Sequence, residues 1–577
     1  MKPASGDAFV PKSILCLKGY TAQKFAADLV AGVTVGLVAL PLAMAFAISS
    51  GLSPQAGIYT AVVAGFIISA LGGSKTQIGG PTGAFVVVVA SIVARHGIDG
   101  LFTCTLMAGF ILVVLGLTGL GSAIKYIPRP VVLGFTNGIA VLIASTQIKD
   151  FFGLNILEMP GDFIGRMKAI IGHWNTFSPV ATIVSALSLA VIIVFARYIR
   201  RVPGSIVVLV LATASAWIFH LPVETIETRF GGIPAGMPHF AMPALRLDLV
   251  LPLLSPALTV AMLGAIESLL SAVVSDRMSG DRHNPNVELF AQGVANIMSP
   301  LVGGLPATGA IARTATNIRS GAQSPVAGMV HALTLLVVLL VAAPLARHIP
   351  LSVLAAILMM VSWNMGEWTE VPEILKLSKA DIAVWLITFA LTVFADLTVA
   401  VEAGMILAAL LYIRKVTATS TVSRVTPEYI KAGYAHSLQI NAIPDQVAVY
   451  RIHGPFLFGA TDKLRLIEEE LPALPAIVVL RLRNMTAIDA TGLHALENLS
   501  DKLHQSGRQL VLCGMRDQPA RLIAQAEFHQ HLGDANIQPS LEAAIRRARE
   551  ILEKSGQPPA VSSPASYHPD PNATLTP

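Results

Sequence analysis

Two apolar stretches, GGPTGA from Gly79 and GGLPATGA from Gly303, are broken by glycine and proline in opposite halves of a chain otherwise built from long hydrophobic runs. Each opens a segment too short to span a bilayer comfortably. Hydrocarbon cannot satisfy the peptide groups that such a break releases, so the break survives only where protein or a wet cavity covers it. Paired interruptions of this kind point to a carrier's binding site, with the two breaks facing each other. If a half-helix follows each break, the N-terminal amides and positive dipole ends converge near the midplane and favour a negatively charged guest.

The composition fits a polytopic membrane protein. Of 577 residues, 54% are hydrophobic and 13% charged, about half the charged share of a soluble domain. Cys16, Cys104 and Cys513 are scattered and odd in number, so they suggest neither a disulfide framework nor a metal site. The polar start up to Asp28 reads as lacking a removable signal peptide. No Walker-type loop, GxSxG elbow or HExxH occurs, which argues against ATP-driven transport and enzymatic chemistry. No cofactor is expected.

Hydropathy predicts spans near 29–49, 55–71, 102–124, 131–148, 178–198, 204–220, 253–275, 324–346, 350–364, 380–396 and 398–413. Adding 80–94, 287–301 and 306–320 makes about fourteen segments, seven before Pro222 and seven after Pro252, an inverted repeat. Lys75, Lys125, Arg129, Arg197, Arg200, Arg201, Arg277, Arg282, Arg319, Lys376, Lys379, Arg414 and Lys415 then share the side of the N-terminus, which should be cytoplasmic. The loops at 149–168 and 224–248 should be external. The expected organisation is an N-terminal segment (1–24), a transmembrane domain (25–416, halves about 25–221 and 252–416), a soluble α/β domain (436–553) and a disordered tail (554–577). In the soluble domain, 447–452, 477–482 and 509–513 read as strands, and 461–471, 491–506, 518–526 and 541–552 as helices.

Glu267, mid-span in AMLGAIESLLSAVVSDRM, is costly to bury without a role, so it is the candidate to take up a proton or to coordinate sodium, with Ser271 one turn on. Its structural alternative is a glutamate tied to a neighbouring helix. Arg313, two turns past the second break, is the candidate fixed positive charge. The alternative there is snorkelling to the interface, assigned instead to Arg319. Thr82, Gly83 and Ala84 on the first half-helix, and Thr308, Gly309 and Ala310 on the second, are small enough to let backbone amides approach an ion, although small residues also pack membrane helices. Pro41 breaks the first span, which makes Leu42 and Phe46 candidates to line the same cavity. His331, His348, Asp381, Asp396 and Glu402 rank lower.

The runs ALPLAMAFAISSGLSPQAGIYTA, GGPTGAFVVVVA, GAIESLLSAVVSDRM and GGLPATGAIARTATNIRSGAQSP resemble the SulP (sulfate permease) family over about 25–552. They look most like its C4-dicarboxylate carriers, with the sodium-coupled bicarbonate carriers further off. The resemblance implies core and gate domains in an inverted seven-plus-seven repeat, elevator-type movement and a homodimer in the inner membrane with both termini cytoplasmic. It places Glu267 where bicarbonate carriers have a sodium-binding aspartate, and Ser271 where they have a threonine. It also matches Arg313 to the arginine that supplies positive potential at the anion site, and Phe46 to an aromatic lining residue.

The run NMTAIDATGLHAL resembles STAS domains, whose antagonist members are phosphorylated in an Asp-Ser-Ser-Gly turn. The corresponding residues are Asp489, Ala490, Thr491 and Gly492, so Thr491 is either a regulatory phosphorylation site or the cap of a helix starting near Leu493. The expected function is secondary transport of a small anion, in the order dicarboxylate, sulfate, bicarbonate, coupled to protons or sodium. An uncoupled anion channel or exchanger, and a STAS-based membrane signalling protein, stay open as alternatives.

Overall fold

The computed structural model describes residues 9–121, 128–156, 159–199, 203–232, 236–244, 246–395, 397–425 and 443–554. Outside them lie Asp396, Lys125, Arg200, Arg201, most of the expected tail, the first eight residues and the expected start of the soluble domain at 436–442. Two compact units divide the chain, Met1–Ala408 and Ala409–Pro577, a boundary slightly before the one expected at 416.

In the first unit, a short helix α1 (Lys12–Leu17) precedes α2 (Ala22–Ser49), α3 (Pro54–Leu71), α4 (Gly83–Leu117), α5 (Arg129–Phe152), the short amphipathic α6 (Phe163–Gly172), α7 (Pro179–Tyr198), α8 (Gly204–Ile218) and α9 (Ile226–Phe230). The second half holds α10 (Leu254–Ser279), α11 (Pro285–Met298), α12 (Ile311–Arg319), α13 (Val326–Ala346), α14 (Leu351–Met365), α15 (Val371–Ile374), α16 (Lys379–Phe394) and α17 (Leu397–Thr419). Helix α4 breaks at Gly97, whose φ of 70° and ψ of −174° are not helical, so it supplies two membrane segments, 83–96 and 98–117. With that break counted, seven segments precede Pro222 and seven follow Pro252, and the third in each half is a short helix opening at an interruption.

The expected external loop at 149–168 is largely structured. Helix α5 continues to Phe152 and ends on left-handed Gly153, and α6 starts on an Asp162 cap, whose carboxylate accepts from the Gly165 amide.

Packing separates two groups of helices. Helix α4 lies against α10 and α11, and α2 against α3 and α13, while α5 packs on α14, α16 and α7. The crossing of α4 on α11 depends on two glycines. A Cβ on Gly109 would come within 2.9 Å of the Gly293 carbonyl oxygen, and one on Gly293 within 2.7 Å of that of Gly109. Outward faces keep large apolar side chains such as Val210, Leu211, Trp217 and Val341 exposed, as a lipid-facing surface requires.

The second unit carries a five-stranded sheet in the order β3 (Thr421–Arg424), β4 (Val447–Phe456), β5 (Ile477–Ile488), β6 (Gln509–Cys513), β7 (Ile537–Gln538), where β3 pairs antiparallel and the rest parallel. Strands β3 and β7 are additions to the three expected. Alternation sorts the inner strands: Tyr450, Leu480 and Leu512 enter one core, and Val449, Val479 and Val511 the other, so the sheet is covered on both faces. The expected helix at 461–471 is instead a 3-10 stretch, Phe458–Leu464, followed by the single turn Arg465–Glu469.

Candidate functional site

The two interruptions pair with each other. Gly79–Gly80 forms β1 and Thr308–Gly309 forms β2, an antiparallel two-residue ladder in which Gly79 faces Gly309 and Gly80 faces Thr308. Backbone that hydrocarbon could not satisfy is therefore satisfied by the opposite break. The Ala310 amide extends the ladder by donating to the Ile78 carbonyl at 2.8 Å. The pairing also corrects the expectation that Thr308 and Gly309 belong to the second half-helix. They precede it, and α12 starts at Ile311 because the strand hydrogen bonds hold the chain extended through Gly309.

Helices α4 and α12 leave this ladder with their N-termini uncapped by side chains. Thr82 and Ala310 occupy the two N-cap positions in extended conformation, and neither makes a side-chain cap bond. First-turn amides at Gly83, Ala84 and beyond, and at Ile311 and beyond, thus lack a side-chain competitor for an incoming anion. Gly83 adjoins apolar groups of several helices: a Cβ there would lie 3.1 Å from Ile143, 3.3 Å from Met365 and 3.4 Å from Phe46. Phe46 is buried and Leu42 is partly buried.

Glu267 on α10 accepts a 2.9 Å hydrogen bond from the Thr82 hydroxyl, so Thr82 uses its side chain on the carboxylate instead of capping its own helix. Arg313, 3% exposed, donates through Nη2 to the Pro81 carbonyl, while Nη1 has no hydrogen-bond partner. Gly80 makes room for it: with φ at +150°, a Cβ there would come within 2.7 Å of Nη1. Arg313 therefore stays inside the protein, locked to the first break, in contrast to the snorkelling alternative.

Ser271 does not join Glu267. Its hydroxyl bonds that of Thr314 on α12 at 3.1 Å, and the Thr314 hydroxyl also accepts the Ile78 amide at 3.0 Å, because α12 packs on this turn of α10. Thr308 likewise turns to α10: its hydroxyl bonds the Gly264 carbonyl at 2.9 Å and Ser268 at 2.7 Å. Ser268, adjacent to Glu267 and absent from the expected site, also accepts from the Gly309 amide at 3.1 Å.

A second set of supporting residues was missed. Helix α11 buries Glu288, Gln292 and Asn296, a polar row at four-residue spacing that places all three on one face. Glu288 accepts from the amides of Gly73 and Ser74 and from the Gln77 and Gln292 side chains, at 2.9 to 3.2 Å. Asn296 pairs with both backbone groups of Ala307, at 2.9 Å to its amide and 2.8 Å to its carbonyl. Thr60 of α3 accepts from the Leu305 amide at 2.6 Å. The signal was the spacing of these amides and the carboxylate in an otherwise apolar helix.

Among the lower-ranked candidates, His331 is fully buried, Glu402 accepts from Ser255 at 2.9 Å, Asp381 accepts from Ser378, and His348 lies beside Glu227. In the second unit the helix Ala490–Gln505 begins one residue before the expected 491 and three before Leu493, and its cap is Asp489, which accepts from the Gly492 amide at 2.8 Å. Thr491 is thus not the cap, because the helix starts before it; it sits exposed in the first turn.

Crossed interruptions in two halves, each feeding a half-helix toward a buried arginine and a membrane carboxylate, define a carrier of the inverted-repeat class. The comparisons name the family. The model of the sulfate permease family matches 25–388 and that of the STAS domain 440–544, and the chain belongs to the sulfate permease family. YvdB of Bacillus subtilis (strain 168), provisionally named a sulfate transporter, is 41% identical over 518 residues, 89% of this chain and 96% of its own length. The bicarbonate transporter BicA of Synechocystis is 31% identical, covering 94% of this chain and 98% of its own. Among solved structures, the transmembrane domain of a cyanobacterial BicA superposes with a TM-score of 0.59 at 34% identity, covering 68% of this chain and 98% of its own. SLC26A9 superposes with a TM-score of 0.84 at 18% identity, covering 95% and 94%, a likeness of fold.

Proposed function

We propose that the chain is a secondary active transporter of small anions, with the anion held between the starts of α4 and α12. The observation that carries this reading is the β1–β2 ladder, which sets two uncapped helix starts side by side. Gly83, Ala84 and the first-turn amides from Ile311 present backbone to the guest, Ala310 having its own amide on Ile78, while Arg313 supplies fixed charge and Phe46 and Leu42 line the apolar side. Glu267 carries the coupling cation, a proton or sodium, and its bond to Thr82 links that event to the first half-helix. Ser271, whose hydroxyl bonds Thr314 and not Glu267, takes no direct part in holding that cation. The relatives' names favour sulfate and bicarbonate, and a C4-dicarboxylate remains the third candidate. Transport proceeds by elevator movement of the α4-bearing group of helices against the α5-bearing group, in a homodimer of the inner membrane with cytoplasmic termini.

Uptake of labelled sulfate, bicarbonate and succinate into proteoliposomes tests the reading. Saturable uptake of at least one of them, abolished by Arg313→Ala, is expected. No uptake of any anion by folded protein overturns it.

A further inference from the structure

A cavity of about 310 Å³ lies between the two helix groups away from the half-helix site. One wall is the stretch 86–94 of α4, the outgoing part of the same half-helix whose start forms the anion site. The other is the end of α5, 146–150, together with Arg166 of α6. Ser49, the last residue of α2, also lines it, so the cavity belongs to the membrane face opposite the start of α2.

Cations outnumber carboxylates on the wall of this cavity. Its ionisable lining is Lys149, Asp150, Arg166 and Arg229. Asp150 is consumed by Arg229, through bonds of 2.7 and 3.2 Å, and Glu224 holds Arg229 from the other side. Asp162, a further carboxylate among the described residues, accepts the Gly165 amide as the α6 cap and acts on Arg166 through space. Among the described residues, Lys149 bonds the Ile156 carbonyl, and Arg166 the Ser145 hydroxyl and the Gly161 carbonyl, each at 2.9 Å for the arginine. Arg166 is 4% exposed and its Nε has no hydrogen-bond partner. A buried guanidinium whose described hydrogen-bond partners are all neutral keeps Nε as a donor for an incoming anion, and apolar walls sharpen its field.

We propose that this cavity is a second anion site, in which Lys149 and Arg166 hold a small oxyanion or carboxylate on its way between solvent and the half-helix site. It rests on the reading of the chain as an anion carrier. The Arg166 fork and the Lys149 ammonium supply the donors, and the Gln147 and Ser49 side chains, bonded to each other at 3.0 Å, form its polar floor.

Charged thiol reagents test it on the full-length protein in proteoliposomes. Ser49→Cys, made in Cys16→Ser, places a thiol in the cavity; Cys16→Ser alone, whose Cys104 is buried and whose Cys513 thiol is pushed up to about 12 by burial, gives the background. A sulfonate-bearing methanethiosulfonate should label Ser49→Cys roughly fivefold or more faster than its trimethylammonium counterpart, as expected for a focused positive potential. Millimolar sulfate should slow the anionic reagent. Adding Lys149→Gln and Arg166→Gln should bring the ratio to about one, and Arg166→Lys should restore most of it, which a merely structural role of Arg166 would not do. An unchanged ratio in the double variant, faster cationic labelling, or a thiol that neither reagent reaches overturns the proposal. Selective labelling without any transport would instead overturn the carrier reading alone.

Discussion

The Thr82 hydroxyl donates to Oε2 of Glu267 at 2.9 Å, joining the start of a half-helix in one repeat to a membrane carboxylate in the other. A cap position that would ordinarily serve its own helix is thereby assigned to the carboxylate, and the helix start is left with amides for a guest. On the proposed reading, whether Glu267 is charged, protonated or metal-bound changes what Thr82 can donate to, and this bond is the route by which occupancy at one position would be felt at the other.

Thr82→Val keeps the shape and deletes the donor. A hydrogen bond to a charged group contributes about 1.5–3 kcal/mol, so the concentration of coupling cation needed for half-maximal uptake should shift roughly tenfold or more, with folding retained. Uptake titrated against proton and sodium concentration checks this; an unshifted dependence would separate Thr82 from coupling.

Arg313→Lys keeps a positive charge but loses the fork that holds Pro81 and leaves Nη1 free. Apparent anion affinity should fall by about tenfold in Arg313→Lys and further in Arg313→Ala, because a point charge does not replace two directed donors. Saturation kinetics of uptake read the difference.

Gly309→Ala should destabilise the ladder. The new Cβ would lie 2.1 Å from Gln77 Nε2 and 3.1 Å from Ser268 Cα, and Gln77 is already held by Glu288. Overpacking of this kind costs about 1–3 kcal/mol, so the thermal unfolding midpoint in detergent should drop, with transport lost in step. Wild-type stability and transport would contradict the pairing of the breaks.

Glu288→Ala removes one acceptor shared by Gly73, Ser74, Gln77 and Gln292. Each donor left without a partner costs about 1–3 kcal/mol, so this variant should lose more stability than Glu267→Ala, whose carboxylate receives one such bond. Thermal melts of the two variants side by side decide.

Much of this was legible in the sequence because membrane folding rewards simple signals. Broken glycine- and proline-bearing stretches in two halves implied that the breaks face each other, and the ladder of Gly79 with Gly309 is that meeting in detail. Glu267 and Arg313 stood out because isolated charges in apolar helices are costly. What could not be read was which neighbour each polar group chooses. Ser271 shares a helix face with Glu267 yet bonds Thr314 from another segment, and Thr308 turns to Gly264 and Ser268. Such choices depend on contacts forty or more residues apart in sequence. Glu288, Gln292 and Asn296 carried a signal in their spacing, but it lay inside a helix taken only as a short membrane segment. Asp28 looked like the end of a polar lead, whereas it is fully buried and holds the amides of Gln323 and Ser324.

The role of Glu267 as the seat of coupling is tested most directly by uptake into proteoliposomes under separately imposed proton and sodium gradients, in wild type and Glu267→Gln. Gradient-driven accumulation should be lost in Glu267→Gln while anion exchange across the membrane persists. Equal accumulation by the two proteins would contradict the account.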